Sequence, residues 1–178
     1  MAELLYKLGI QRLQDYKLQD KRIFFTITEY YEEEYIKTLD YNQLIVLVEH
    51  ILKNVYNIDL QSYNKEYKYK ENNKGYFMIW HCDDCHLYKH KSAEYSKDCD
   101  IILNKNLVLT HNKPLPIYTI LLYLSQNKTE FTGADLHFVD KTVSPSLYDV
   151  VFFDSHEIHS VSIQKSGIRK NIIIKYYD

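Results

Sequence analysis

Residues 148–177 read YDVVFFDSHEIHSVSIQKSGIRKNIIIKYY, and the pairing of this stretch decides the architecture. Strands are expected over 149–154, 158–163 and 168–177, because each run is dense in Val, Ile, Phe and Tyr and is bounded by turn-forming residues. A three-residue loop at Lys165-Ser166-Gly167, with Gly167 at positive φ, would pair Arg169 with Ile163. Ile163 lies four residues beyond His159, an even number, so His159 and Arg169 then face one interior. A two-residue loop would pair Arg169 with Gln164 and set the two on opposite faces. His156, seven residues from Ile163, is expected to face away, in a turn or behind the functional residues.

Further strands are expected upstream over 75–80, 117–124 and 134–139, separated by Asn-Lys, Thr-Gly and Ser-Pro pairs. The first 60 residues differ. Leu44, Leu47, Val48, Ile51 and Leu52 recur at spacings of three and four, which places them on one helix face that must pack on something. Residues 23–27 (IFFTI) suit a strand between helices, and MAELLYKLGIQRL at 1–13 reads as an amphipathic helix. Helices first and strands second indicate an α+β layering with helices backing one sheet. At 178 residues the expectation is one domain, 1–62 mainly helical support and 63–178 the strand core. The connection from 84 to 116 carries Lys89, His90, Lys91, Lys97, Lys105 and Lys113 and is a candidate for substrate contact, since connections this long usually serve function.

Charge and composition narrow the classes. The net charge is -2, with 46% hydrophobic and 26% charged residues, so a packed core is expected and no global field favours a polyanion. Glu3, Lys7 and Arg12 interrupt the apolar start, and no run reaches a membrane span, so the expectation is a soluble intracellular protein, cytoplasmic or nuclear, with no membrane partner. Three cysteines fit a reducing compartment better than a disulfide scaffold. The sequon at Asn127-Lys128-Thr129 is then a chance match. Eighteen tyrosines against four glycines read as a bias of the whole sequence toward Tyr, Lys, Asn and Ile, with a tyrosine-lined binding surface as the sharper alternative.

His81-Cys82-Asp83 follows the apolar run YFMIW. Strand side chains alternate, so His81 and Asp83 share a face and Cys82 takes the other. Alone, His-x-Asp reads as a hydrogen-bonded surface pair. A third ligand, if a second imidazole, would complete a two-His-one-carboxylate set, which leaves positions open for a co-substrate and oxygen. His159 is the candidate. Four strand residues span ~13 Å, the reach of an extended five-carbon diacid plus an arginine side chain, and the planar guanidinium of Arg169 suits a carboxylate.

Four blocks then carry a family signature: WHCDD at 80–84, YTILLYLS at 118–125, FTGADLHF at 131–138 and YDVVFFDSHEIHSVSIQKSGIR at 148–169. The region 69–177, roughly 60% of the sequence, resembles the prolyl 4-hydroxylase-like 2-oxoglutarate and Fe(II)-dependent dioxygenases. The resemblance implies a double-stranded β-helix (jelly-roll, cupin-like) core. It implies Fe(II) held by His81, Asp83 and His159, and 2-oxoglutarate held at its far carboxylate by Arg169 and Tyr123. It further implies O2 as oxidant, ascorbate as reductant, and hydroxylation of a C–H bond with succinate and CO2 as co-products, most directly on a prolyl or other side chain of a peptide or protein. The sequence departs from the family at Gly133-Ala134, usually two glycines, and at Ser125, usually asparagine.

Three other readings stay open. Cys82-x-x-Cys85 with His86, His90 and Cys99 has ligand types suited to a structural zinc site. Arg169-Lys170-Asn171 through Lys175 resembles the alkylation-repair dioxygenases, with lysine at their second arginine position, which keeps a nucleic-acid substrate open. A catalytically inactive binding module of the same fold is the third. Trp80 and Cys82 are expected to pack in every version, and Cys99 to fill space.

Overall fold

The computed structural model describes residues 22–81, 83, 87–88, 108–109, 116–155, 157 and 159–178. In sequence order its strands are β1 (Ile23–Thr26), β2 (Asn64–Asn73), β3 (Met78–His81), β4 (Leu87–Tyr88), β5 (Val108–Leu109), β6 (Tyr118–Tyr123), β7 (Phe131–Gly133), β8 (Leu136–Phe138), β9 (Thr142–Val143), β10 (Asp149–Asp154), β11 (His159–Val161) and β12 (Gln164–Tyr177). A short helix, Glu33–Ile36, and a long one, Tyr41–Tyr56, lie between β1 and β2. The expected helix at 1–13, His156, most of the long connection and the three cysteines lie outside the described residues.

The long helix forms where its ends are chemically defined. Asp40 Oδ1 accepts from the Gln43 N–H at 2.8 Å and the Gln43 side chain accepts from the Asp40 N–H at 2.9 Å, a reciprocal cap that satisfies otherwise orphaned donors. Asn57, at φ 58, ends it in the left-handed region. Between the caps, Leu44, Ile45, Val48, Ile51 and Leu52 are buried. Leu47, expected on the buried face, packs only at the edge of that cluster, and Ile45 is buried in its stead.

All strand pairings are antiparallel. The large sheet runs β1-β10-β6-β12-β2, with β7 attached to β12, and a smaller sheet runs β3-β11-β8-β9. Period-two alternation splits the central strands of the large sheet between two cores. Ile120, Leu122, Val150, Phe152, Ile172, Ile174 and Tyr176 pack with the long helix. Leu121, Tyr123, Val151 and Phe153 pack instead with Leu136, Phe138 and Val161 of the small sheet. Burial on both faces explains why TILLY and VVFF are unbroken apolar runs. The architecture is therefore mostly antiparallel sheet, layered helix on sheet on sheet.

Two expectations are corrected. β11 and β12 do not form a hairpin: β11 pairs with β3 and β8, whereas β12 pairs with β2, β6 and β7. Ser162 and Ile163 lead from one sheet to the other, held by the Ser162 N–H donating to the Asp135 carbonyl at 3.0 Å. Lys165, Ser166 and Gly167 belong to β12, where the register shifts between Gln164 and Ser166. The physical reason is that β7 offers this segment a partner, so no turn is needed. Second, Asn64–Asn73 is the long edge strand β2. Its charged sequence hid it, although Glu66, Lys68 and Lys70 alternate with Tyr67 and Tyr69. No helix among the described residues is long and apolar enough to cross a membrane.

Candidate metal centre and its cavity

β3 and β11 are neighbours in the small sheet, and their register sets His81 opposite His159. Asp83 follows β3, its N–H donating to the Ser155 carbonyl at 2.7 Å. Asp83 Oδ1 lies 3.6 Å from His81 Nε2 and 3.9 Å from His159 Nε2. The imidazole centroids are 4.2 Å apart, and one donor atom from each of the three residues lies within 4.8 Å of the others. His159 stands against Phe153, centroids 4.8 Å apart, so its ring has little freedom.

The neighbours prepare these side chains electronically. His159 Nδ1 donates to the Glu157 carbonyl at 2.9 Å, which leaves the Nε2 lone pair toward Asp83. Burial, and then His81, lower the His159 pKa to about 4, so the ring is neutral at pH 7. Burial pulls the Asp83 carboxyl upward. The His81 hydrogen bond, the positive charges near it and the Thr119 hydroxyl outweigh that and hold it well below the usual carboxylate range. Thr119 Oγ1 donates to Asp83 Oδ2 at 2.7 Å, and Lys175 Nζ lies 3.5 Å from Oδ1. Two imidazole nitrogens and an ionised carboxylate are a donor set for a divalent transition ion.

A cavity of about 480 Å³ opens from this cluster between the sheets. Arg169, only 3% exposed, also lines it. Nη1 donates to the Ala134 carbonyl at 3.2 Å, while the buried Nε has no hydrogen-bond partner. The guanidinium carbon lies 5.3 Å from the Tyr76 ring centroid and 6.0 Å from that of Tyr123. A buried guanidinium with an unsatisfied N–H is suited to a planar oxyanion, because leaving such a donor unpaired is costly. Tyr123 is fully buried, and burial raises its phenol to about 12, so it stays protonated beside Arg169.

The structure thus brings His81, Asp83 and His159 together and lines the same cavity with Arg169 and Tyr123. His159 and Arg169 face one interior from two sheets, not along one hairpin. The zinc set, Cys82, Cys85, His86, His90 and Cys99, lies outside the described residues. Sequence reasoning missed Thr119, Tyr76, Lys68 and Lys70. The alternation of β2 was the available signal for the lysines; Thr119 had none, since it reaches Asp83 only through the pairing of the sheets.

No protein-family profile matches the sequence, and no curated protein matches it. Comparison with solved structures finds prolyl 4-hydroxylases and 2OG-Fe(II) oxygenases at TM-scores below 0.5. The viral collagen prolyl hydroxylase of Paramecium bursaria Chlorella virus-1 is 15% identical, with a TM-score of 0.49 over 87% of this protein and 76% of that one. A 2OG-Fe(II) oxygenase family oxidoreductase from Burkholderia pseudomallei is 12% identical, with a TM-score of 0.48 over 74% of this protein and 52% of that one. This protein therefore spans about half the length of the Burkholderia protein. A Pseudomonas putida prolyl-4-hydroxylase is 15% identical, with a TM-score of 0.45 over 99% of this protein and 82% of that one.

Proposed function

We propose that this protein is a 2-oxoglutarate- and Fe(II)-dependent oxygenase on a double-stranded β-helix, hydroxylating a prolyl or other side chain of a peptide. His81, Asp83 and His159 would hold the iron, and Arg169 with Tyr123 the far carboxylate of 2-oxoglutarate. O2 would be the oxidant and ascorbate the reductant, with succinate and CO2 as co-products. The observation that carries the reading is the convergence of two imidazoles and a carboxylate on a cavity that is also lined by a buried, incompletely satisfied arginine.

When bound, ferrous iron with 2-oxoglutarate and O2 supplies the oxidising power for C–H hydroxylation. The protein's own residues bind and orient. Glu157 fixes the tautomer of His159, and Thr119 fixes the rotation of the Asp83 carboxylate. Arg169 presents its planar edge to a carboxylate for two parallel hydrogen bonds. Leu121, Leu136, Val161 and Ile173 line the cavity with apolar surface that limits water around the reacting groups.

The test is conversion of 2-oxoglutarate to succinate with Fe(II) and ascorbate, against peptide and oligonucleotide panels. Turnover that depends on a peptide and vanishes in His81→Ala, Asp83→Ala and His159→Ala supports the reading. Full activity in His159→Ala, or dependence on an oligonucleotide instead, would overturn the ligand assignment or the substrate class respectively.

A further inference from the structure

One wall of the cavity carries more positive charge than the proposed chemistry uses. Among the described residues β2 is an edge strand paired only with β12, and Glu66, Lys68, Lys70 and Asn72, alternate residues along it, line the cavity. Opposite them, Lys70 pairs with Asn171, Lys68 with Ile173 and Glu66 with Lys175. Lys175 is engaged by Asp83. Among the described residues, neither Lys68 nor Lys70 has an ion-pair partner. Lys70 is half-buried, and its ammonium is disfavoured first by that burial and then by Lys68, Lys175 and Arg169.

Among the described residues, the lining groups comprise four cations, Lys68, Lys70, Arg169 and Lys175, against two anions, Glu66 and Asp83. A ferrous ion and the 2-oxoglutarate dianion cancel each other, so a surplus of two positive charges remains for something else. In a partly desolvated cavity that surplus favours an anion strongly over a neutral group. The surplus is local. Lys65 is bound to Glu49 at 2.8 Å, Glu66 and Glu71 flank the two lysines, and the protein as a whole has a net charge of -2. A polyanion would meet both carboxylates, whereas one oxyanion held between Lys68 and Lys70 would have only Glu66 on the same wall. Lys68 and Lys70, two residues apart, have Cα atoms about 7 Å apart, close enough for both ammonium groups to converge on one carboxylate.

We infer that Lys68 and Lys70 recognise a single carboxylate on the primary substrate, so that the substrate is an acidic peptide with Glu, Asp or a terminal carboxylate beside the oxidised residue. This rests on the reading proposed above and adds its substrate class. The test loads the protein with Mn(II) and 2-oxoglutarate without oxygen, and follows probes by the Mn(II)-induced relaxation of their proton resonances. The probes are acetyl-Pro-Glu amide, acetyl-Pro-Gln amide and a thymidine trinucleotide.

The Glu peptide is expected to bind at least about tenfold more tightly than the Gln peptide. That preference should disappear in the Lys68→Gln/Lys70→Gln double variant, and weaken in Lys68→Gln alone, whose side chain is exposed and whose loss leaves folding intact. Mn(II) and 2-oxoglutarate affinities should not change in either variant. Equal binding of the two peptides, no binding of either, preference for the trinucleotide, or weakened 2-oxoglutarate binding in the variants would each overturn the inference while leaving the oxygenase reading in place. Failure of the unsubstituted protein to take up Mn(II) or 2-oxoglutarate would remove that reading, and this inference with it.

Discussion

The Thr119 hydroxyl stands behind Asp83, 2.7 Å from Oδ2, and leaves Oδ1 turned toward the two histidines. Thr119→Val keeps the shape and removes the donor. Metal affinity is expected to fall about tenfold, in the range usual for groups that orient a ligand from behind, measured by Mn(II) calorimetry on a folded variant. Unchanged affinity would show that the Asp83 backbone hydrogen bond to Ser155 suffices. Arg169→Lys retains the charge but loses the fork. Because lysine is a point charge and cannot make two parallel hydrogen bonds, 2-oxoglutarate binding should weaken by roughly tenfold to a hundredfold with metal affinity unaffected. Equal affinity in the lysine variant would mean that Arg169 contributes charge alone.

The tail end of β7 and the start of β12 show how backbone conformation shapes the cavity. Gly133 (φ 74) and Ala134 (φ 57) both adopt left-handed conformations, and the second presents its carbonyl to Arg169. Ala134, where the resembling family usually has glycine, bears the cost of that conformation while its methyl group is fully buried in the core between the two sheets. Ser125, at the other departure from that family, is buried and accepts from the Lys170 N–H at 2.9 Å, which ties the end of β6 to β12 beside Arg169. Gly167 (φ 72) lies against Glu130, and a Cβ there would collide with the Glu130 carbonyl oxygen. Gly167→Ala is therefore expected to destabilise the fold by roughly 2–4 kcal/mol, read from urea unfolding. A loss below about 1 kcal/mol would show that β7 and β12 can separate at this point without consequence.

The two cores meet at the large sheet, and the two histidines of the candidate metal cluster are carried by the small sheet that packs on one of its faces. Three ligands drawn from β3, the segment after it and β11 join sequence positions that are far apart, and an ion bound there favours the folded state only. At about a hundred times its Kd, Mn(II) should stabilise the protein by about 2.7 kcal/mol, which for a protein of this length is a rise in Tm of roughly 5–10 °C. Asp83→Ala should show no such rise, and an equal shift in that variant would place the ion elsewhere.

Much of this was written in residue type and period. The 3.6-residue spacing of Leu44 to Leu52 marked the buried helix face. The two-residue spacing of His81 and Asp83, and the apolar runs of β6 and β10, marked strands with defined faces, because side-chain direction follows local backbone geometry. Partner choice was not local. Nothing in Ser162-Ile163 says that the backbone passes between sheets there, and nothing in NKEYKYKENN says that this charged run pairs with β12, about a hundred residues away. Those pairings depend on which edge is free once the rest has packed, and they alone bring Thr119 and Lys175 to Asp83 and set two lysines along the cavity wall.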